Sequence, residues 1–518
     1  MATAGYGRFP TGSRRPAGPV TAVGVGLICL ALTLAVPRSA RAASAEGQAR
    51  PLSFEQSTTL LATQSDVLSG AEAQVRAARD HADSLKAMRW PVISLDAQQM
   101  VYQKTLDISL DDLKNRAQGS ANSTLDNIEA QGVPGVPGGA VSAVIDQVRG
   151  TLPGLFSRIP NSVSYESRET LFHPTVTAIL PLYAGGAIAA AQGGAQASAA
   201  LAGATAEQTR QTLQLQLVQA YFGQVLAAQV QEVARETRDG FDHHLDNARK
   251  LEKNGQISRA RTLQVEVARD ASQRALTEAE GNYRIASDAL ANLLHSPSPI
   301  DPVTPLFVAS APLPSVAPFL ASAQTNQPRL HQAQAAVEAA RRGVDLARAG
   351  WLPTVYAFGE YNLNREHELV TEPDWVAGIG VHYTLMSNVD RSKSASAARA
   401  RQEAAEAAER QVQTDIRAAI TRAYNLVETA RQQYLSLDSS VAAARESVRV
   451  QETSFREGVA ASSDVIDARN ALAQVRSQRA AAAYKYDLAL ASLLLVSGQG
   501  NRFLDYLHNA DLRVSSHE

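Results

Sequence analysis

Cysteine is almost absent from this chain: Cys29 is the only one in 518 residues. It lies in an apolar run from about Val20 to Val36, preceded by Arg8, Arg14 and Arg15 and followed by Ala40-Arg41-Ala42. Basic residues, a short apolar run and an A-x-A site predict an export leader over 1–42, cleaved after Ala42. The run is too short and too interrupted by glycine to make a good spanning helix. The residues after Arg14-Arg15 do not support a twin-arginine signal, and Ile28 is not the small residue a lipid anchor at Cys29 would want. The mature chain is expected to have no thiol, hence no disulfide and no Cys-based metal or redox chemistry.

Strong charge is lacking too. The formal net charge is −2, and losing the leader removes five arginines and no acid, leaving about −7. Such a chain does not look like a nucleic-acid binder, which needs a basic face. Catalytic constellations are missing as well: there is no phosphate-cradling Gly loop, no Cys/His ligand set and no nucleophile elbow. His243 and His244 are adjacent, so on a helix they point about 100° apart and make a poor joint metal site. No enzyme activity, no cofactor and no metal site is expected.

What the chain does have is an abrupt change of period. Phe172, Val176, Ala178, Leu180 and Leu182 alternate with His173, Thr175 and Thr177, the two-residue repeat of a strand. Past Pro181-Leu182-Tyr183-Ala184-Gly185-Gly186 a run rich in Ala, Gln, Leu and Glu reaches Gly255 almost without a breaker, one very long helix over about 187–253. Pro181 is tolerated near a strand end, and the glycine pair permits the change of backbone direction.

The event recurs. Trp375, Ala377, Ile379, Val381, Tyr383 and Leu385 alternate with Val376, Gly378, Gly380, His382 and Thr384, before a second long helix over about 389–456. A shift of about 203 residues lays Ala220-Tyr221 on Ala423-Tyr424, Gly255 on Gly458 and Tyr283 on Tyr486. Upstream, a shift of about 262 lays Ala77-Ala78-Arg79 on Ala339-Ala340-Arg341 and Pro91 on Pro353. The chain is internally duplicated: a first repeat at 43–295, a linker at 296–318, a second repeat at 319–497 and a polar tail at 498–518. The first copy carries about 59 extra residues between its strands.

Each copy reads helix, strand, strand, long helix, return helix. The opening helix runs from Phe54 to Arg89 and stops at Trp90-Pro91, because a residue before proline is pushed out of the helical region. Strands come next at about 91–106 and 170–183, and in the second copy at about 353–365 and 374–386. The extra material, 107–169, reads as an external loop with a short helix at Val141–Arg149; its Gly-Val-Pro-Gly-Val-Pro-Gly-Gly tract is turn chemistry. In 210–233, Leu213, Leu217 and Ala220 form one apolar line and Leu215, Val218, Phe222 and Val225 another. Two lines mean two neighbours, as in a closed cylinder of helices.

Four alternating strands suit a membrane barrel, apolar outward and polar toward water. Trp90, Tyr102, Phe172, Tyr361, Trp375 and Tyr383 lie near strand ends, where an aromatic girdle sits. Four strands cannot close a barrel alone, since open edges are not tolerated in lipid, so the barrel must be shared between chains.

With this pattern the sequence resembles the TolC-like outer-membrane efflux and secretion channels. The resemblance covers nearly the whole mature chain, and Pro181-Leu182-Tyr183-Ala184-Gly185-Gly186 matches the family's proline-apolar-aromatic-x-Gly-Gly; Thr384-Leu385-Met386-Ser387-Asn388-Val389 is a degenerate second copy. It implies a mostly α fold with a membrane β-barrel, a homotrimer sharing a 12-stranded β-barrel continued by a periplasmic α-helical barrel. It also implies an exit duct in the outer membrane of a Gram-negative bacterium, linked through a periplasmic adaptor (membrane fusion) protein to an inner-membrane pump of RND, ABC or MFS type. Small-molecule efflux and type I secretion use the same duct. The alternative is an exported trimeric coiled-coil adhesin or envelope spacer without a channel.

The resemblance also singles out residues. Asp464 and Asp467, three apart after Gly458, share a helix face; six such carboxylates from three chains would form the channel constriction. Their other reading is a helix N-terminus carrying acids that suit its dipole. Phe455 stands where the family has an aromatic, and Ala460 where an arginine can help latch the mouth. Copy one has Arg261 and Gln264 at the equivalent places. Gly255 and Gly458 resemble the family's adaptor-docking tips, and Pro181, Gly185 and Gly186 mark the strand–helix junction.

Overall fold

The computed structural model describes residues 49–132, 134, 137–364 and 373–514. The expected leader and Cys29 lie outside the described residues, as does most of the short second-copy loop. In chain order the elements are β1 (Arg50–Leu52), α1 (Phe54–Gln64), α2 (Asp66–Ser84), β2 (Val92–Ser109), α3 (Asp111–Gln131), α4 (Gly138–Phe156) and β3 (Ser162–Tyr183). Then come α5 (Ala187–Lys253), α6 (Arg259–Leu293), β4 (Ile300–Pro302), β5 (Leu306–Val308), α7 (Ala317–Asn326) and α8 (Pro328–Ala349). The chain finishes with β6 (Thr354–Asn362), β7 (Trp375–His382), α9 (Arg391–Arg456), α10 (Ser462–Val496), α11 (Phe503–Asn509) and β8 (Leu512–Val514).

The long helices hold 67 and 66 residues, about 100 Å each at 1.5 Å per residue. Helix α5 packs against α2, α6, α8 and α10, and α9 against α8 and α10. Those several neighbours account for the apolar lines: Leu213, Leu217, Val218 and Phe222 are buried, and Leu215, Ala220 and Val225 partly so.

Four expectations change. The helix from Phe54 to Arg89 is broken at Ser65, whose hydroxyl accepts from the Leu68 N–H and caps α2. Segment 107–171 is mostly ordered secondary structure: β2 and β3 run on to Ser109 and back from Ser162, and two helices fill the gap. Of the Pro/Gly tract, Gly132 is the C-cap of α3, Pro137 the N-cap of α4 and Gly138 and Gly139 its first residues, and Pro153 sits inside α4. In the second copy β6 and β7 end earlier than expected, at Asn362 and His382, and α9 starts at Arg391 because Asp390 accepts from the Lys393 N–H at 3.0 Å. Finally, linker and tail are not mere connections: β4 pairs in parallel with β1, and β5 antiparallel with β8.

Those two small sheets wrap the waist of the long helices. Phe54, Tyr221, Phe222, Phe307 and Phe503 form one ring cluster with centroids 5.1–6.2 Å apart, in the edge and tilted geometries aromatic quadrupoles favour. Long-helix side chains satisfy the outer backbone groups of the sheets. Tyr221 donates its hydroxyl to the Leu52 carbonyl at 2.8 Å and accepts from the Thr304 N–H at 2.9 Å. Gln224 donates to the Ile300 carbonyl and Gln229 to the Val514 carbonyl, both at 2.7 Å. The linker and tail thereby become part of the core.

One carboxyl is buried in this waist. Asp487 of α10 is fully enclosed and, among the described residues, accepts only the Phe307 N–H, at 3.4 Å, through Oδ2, while Oδ1 has no partner there. Burial holds its pKa well above the ordinary carboxylate range, and the nearby Arg513 offsets only part of this. A pKa raised by folding stabilises the fold at low pH and withdraws that support as pH rises through the folded value. Asp487→Asn keeps an acceptor and removes the charge. It is expected to raise the thermal midpoint at pH 8 and change it least near pH 4; a variant less stable than the parent at pH 8 would mean that an ionised carboxylate is held by compensating partners.

Candidate functional site

The membrane candidate is the four-stranded antiparallel sheet, in the order β2-β3-β6-β7. Its register sorts the side chains into two faces. Ile93, Leu95 and Ala97 on β2, Val176 and Ala178 on β3, Ala357 and Tyr361 on β6, and Trp375, Ile379 and Val381 on β7 share one face. The opposite face carries Ser94, Asp96 and Gln98 with Thr177, Thr175 and His173, then Glu360 and Asn362. Apolar outside and polar inside is the pattern of a barrel in lipid. Ile93, Leu95, Ile379 and Val381 are all exposed in the single chain, as lipid-facing residues must be. Tyr361 and Trp375 pair at one rim, and Trp90, Tyr183 and Tyr383 stand exposed at the other. The eight residue steps from Trp375 to Tyr383 span about 26 Å along the strand, close to the height of an apolar band. Strands β2 and β7 are open edges.

At the strand–helix junction the glycines are required for different reasons. Gly185 and Gly186 have φ of +59° and +88°, the left-handed region that glycine reaches without strain. A Cβ on Gly185 would also lie 2.8 Å from Leu352 Cβ and 3.0 Å from the Ala349 carbonyl oxygen, whereas one on Gly186 would meet open space. Pro181 sits where the β3–β6 register slips, between Pro181 and Tyr183, the kind of irregularity that accommodates proline. The first-copy junction thus docks against the corresponding end of α8 from the second copy.

At the far end, α5 and α9 stop in the same way. Gln256 N–H donates to the Leu251 carbonyl and Val459 N–H to the Ser454 carbonyl, at 2.9 and 2.8 Å, with Gly255 and Gly458 at φ +72° and +77°. These are glycine-terminated helix caps. A Cβ on either glycine would have nothing within 4 Å, so backbone conformation rather than crowding calls for glycine. Beneath them Leu245, Ala248, Val265, Phe455 and Val465 form a separate small core, with Ala460 partly buried against it. Phe455 is therefore a core residue of the tips.

Asp464 and Asp467 are exposed on α10, on the side away from Val465 and Ala468. Asp464 Oδ2 accepts from the Ala461 N–H at 3.0 Å, so this carboxylate also caps its own helix. Asp467 shares the exposed face one turn on. Arg261 and Gln264 occupy the matching exposed face of α6, and among the described residues Arg261 forms no ion pair within the chain.

The structure adds groups that the sequence did not single out. Arg469 of α10 crosses to Gly240 of α5, where an added Cβ would strike its guanidinium, and pairs with Glu452 of α9. Arg476 pairs with Glu236, and Arg479 with Asp438 at 2.7 Å while lying over the Tyr434 ring at 5.1 Å. One face of α10 thus ties both long helices together. A glycine inside a helix that otherwise favours alanine was the available signal. His243 is exposed and His244 buried, so the two share no ligand site. Among the described residues no group of three metal-ligating side chains converges, and no helix is long and apolar enough to cross a membrane.

The outer membrane efflux protein family matches residues 147–295 and 319–499, once in each repeat. The chain belongs to that family. Protein CyaE of Bordetella pertussis is 28% identical over 267 residues, covering 49% of this chain and 56% of that protein, so the match spans little over half its length. Among solved structures, CusC, described in terms of transmembrane channel formation, superposes with a TM-score of 0.67 at 15% identity over 86% of this chain and 92% of that one. The outer membrane protein VceC of Vibrio cholerae gives 0.62 at 16% identity, over 86% and 96%. The fold is that of an efflux-family channel, with a helical barrel continuing a β-barrel.

His244 is placed to make the stability of the tips depend on pH. Its ring lies 4.6 Å from that of Phe455, Nε2 has no partner, and burial together with the Arg469 charge lowers its pKa to about 4. Because the folded value lies below the ordinary 6.5, the neutral ring stabilises the tips fully above that pH. Support falls away between about 6.5 and 4, where the opened state takes the proton. Protection factors over 240–260 and 450–470, taken against the intrinsic exchange rate at each pH, are expected to fall from pH 7 to 4.5 in the parent and much less in His244→Phe. An equal fall in both would assign the response to other groups.

Proposed function

We propose that three copies of this chain form an outer-membrane exit duct, with the long helices reaching into the periplasm to a mouth lined by Asp464 and Asp467. The observation that carries this reading is the two-faced sheet with two open edges: a four-stranded piece that cannot stand in lipid unless other copies complete it. Three copies give twelve strands and six long helices, and membership of the efflux family supports that arrangement. The duct performs no chemistry. Direction and energy come from an inner-membrane pump of RND, ABC or MFS type, reached through a periplasmic adaptor that docks near the exposed turns at Gly255 and Gly458. The likeness to CyaE over half the chain is compatible with type I secretion as well as small-molecule efflux.

Six carboxylates at one narrow ring would favour cations and repel anions. Since Asp464 also accepts a backbone hydrogen bond, the informative change is to asparagine, which keeps the acceptor and removes the charge. In planar bilayers the parent is expected to give discrete cation-selective openings. Asp464→Asn/Asp467→Asn is expected to retain them with a several-fold lower cation-to-anion permeability ratio. Unchanged selectivity would confine both aspartates to helix termination, and a trimeric membrane fraction without any openings would favour a non-conducting stalk.

A further inference from the structure

The two faces of the β2–β3 ribbon exchange character above the barrel. Up to about Val101 the side carrying Ile93, Leu95 and Val101 is mainly apolar, with Gln99 among them, and the side carrying Ser94, Asp96 and Gln98 is polar as far as Met100. Beyond that level the first side becomes Gln103, Thr105 and Asp107 opposite Arg168, Glu166 and Ser164, with Gln103 hydrogen-bonded to Glu166. The second side becomes Leu106 opposite Tyr165 and Ile108 opposite Val163, all four exposed in the single chain. A strand that keeps its pleat but swaps its apolar face has changed surroundings. The outward face has left lipid for water, and the face continuous with the lumen has left water for something apolar.

Among the described residues, strands β6 and β7 do not pair with this upper stretch. Strand β3 pairs with β6 only from Thr175 onward, so its stretch from Ser162 to Pro174, about 43 Å at 3.3 Å per residue, extends beyond that pairing. At its end α3 and α4 form a unit. Arg149 pairs with Asp126 and Glu129 at 2.6 and 3.3 Å, and Lys114 holds Asn161 at the top of the ribbon at 2.9 Å. Helix α4 buries Ile145 in this unit yet leaves Val144, Val148 and Leu155 exposed along a second line. A helix with two apolar lines needs two neighbours, and among the described residues the chain supplies one.

Resting on the trimeric duct, we infer that the missing neighbour is the same segment of the other two copies. Three ribbons and helix pairs, one from each protomer, converge through their inward apolar faces into an extracellular cap over the barrel. The occupant is set by continuity with the shared barrel. Each ribbon is the upward extension of a barrel strand, so the inner faces meet round the same axis, and β2 outruns the 8-residue β7 expected beside its edge. The cap narrows the outer mouth and must part for a substrate to leave.

The test uses the full chain with Cys29→Ser, so that an introduced thiol stands alone. Oxidised in outer-membrane fractions, Val144→Cys is expected to give disulfide-linked dimers on non-reducing gels, and Asp107→Cys, on the outward face, to remain unlinked. Because Ser109 and Ser162 pair directly, residues 110–161 can be replaced by an Asn-Gly turn, and this variant is expected to open with larger unitary conductance. Trimers that neither link through Val144→Cys nor change conductance without the hairpin would overturn the cap, leaving α4 to lipid or an external partner. A parent chain that sizes as a monomer in detergent would instead remove the duct reading beneath it.

Discussion

Backbone hydrogen bonds that cannot be left open in lipid govern this architecture. The strands β2 and β7 each present an unpaired row of N–H and C=O groups within the chain, and in hydrocarbon each such group costs several kcal/mol. No adjustment of side chains removes that cost; only closure does. The duplication supplies two hairpins at matching register, and closure by identical copies satisfies the edges without any further sequence. The apolar outer faces of all four strands then have a consistent solvent.

Closure at one end has to be carried about 100 Å along the helices without the bundle splaying. The waist does part of this. The small sheets β1–β4 and β5–β8 draw the linker and tail across the long helices, fixed by Tyr221, Gln224 and Gln229. Further along, where the large core gives way to the small one under the tips, polar ties take over: Arg469, Arg476 and Arg479 reach from α10 to α5 and α9. Ion pairs of this kind contribute modestly to stability but are directional, so they fix helix rotation where apolar area is small.

Much of this is legible in the sequence because it rests on period and repetition. The strand pairs, the junction glycines at 185 and 186, the helix from Ala187 to Lys253 and the turn glycines 255 and 458 all come from alternation, propensity and left-handed backbone. The illegible part depends on partners distant in the chain. Phe307 and Val308 look like part of a proline-rich connection until β8 pairs with them. Ser65 reads as an interior helix residue until its hydroxyl caps α2. Segment 107–171 misleads because its Pro/Gly-rich stretch reads as loop chemistry, whereas Gly119 lies inside α3 and Gly138, Gly139, Gly150, Pro153 and Gly154 lie inside α4. Gly240 of α5, Arg469 of α10 and Glu452 of α9 form a three-helix contact that no local pattern announces. Asp464 reads both as cap and as charged lining; the hydrogen bond to Ala461 makes it a cap within one chain, while the lining depends on copies the single chain does not contain.

The two copies have diverged at their two ends in opposite ways, and the asymmetry has a physical reading. At the tips the second copy carries the acids, Asp464 and Asp467, where the first has Arg261 and Gln264. At the membrane end the first copy carries the long ribbon and helix pair, while β6 and β7 hold only 9 and 8 residues. A three-fold assembly places each kind of element three times around the axis, alternating with its plainer twin. An axial constriction needs only three contributors, and six equal ones would crowd the axis. In the proposed duct, divergence after duplication would let one repeat keep the cylinder wall regular while the other reaches inward, with the inward-reaching copy exchanged between the two ends.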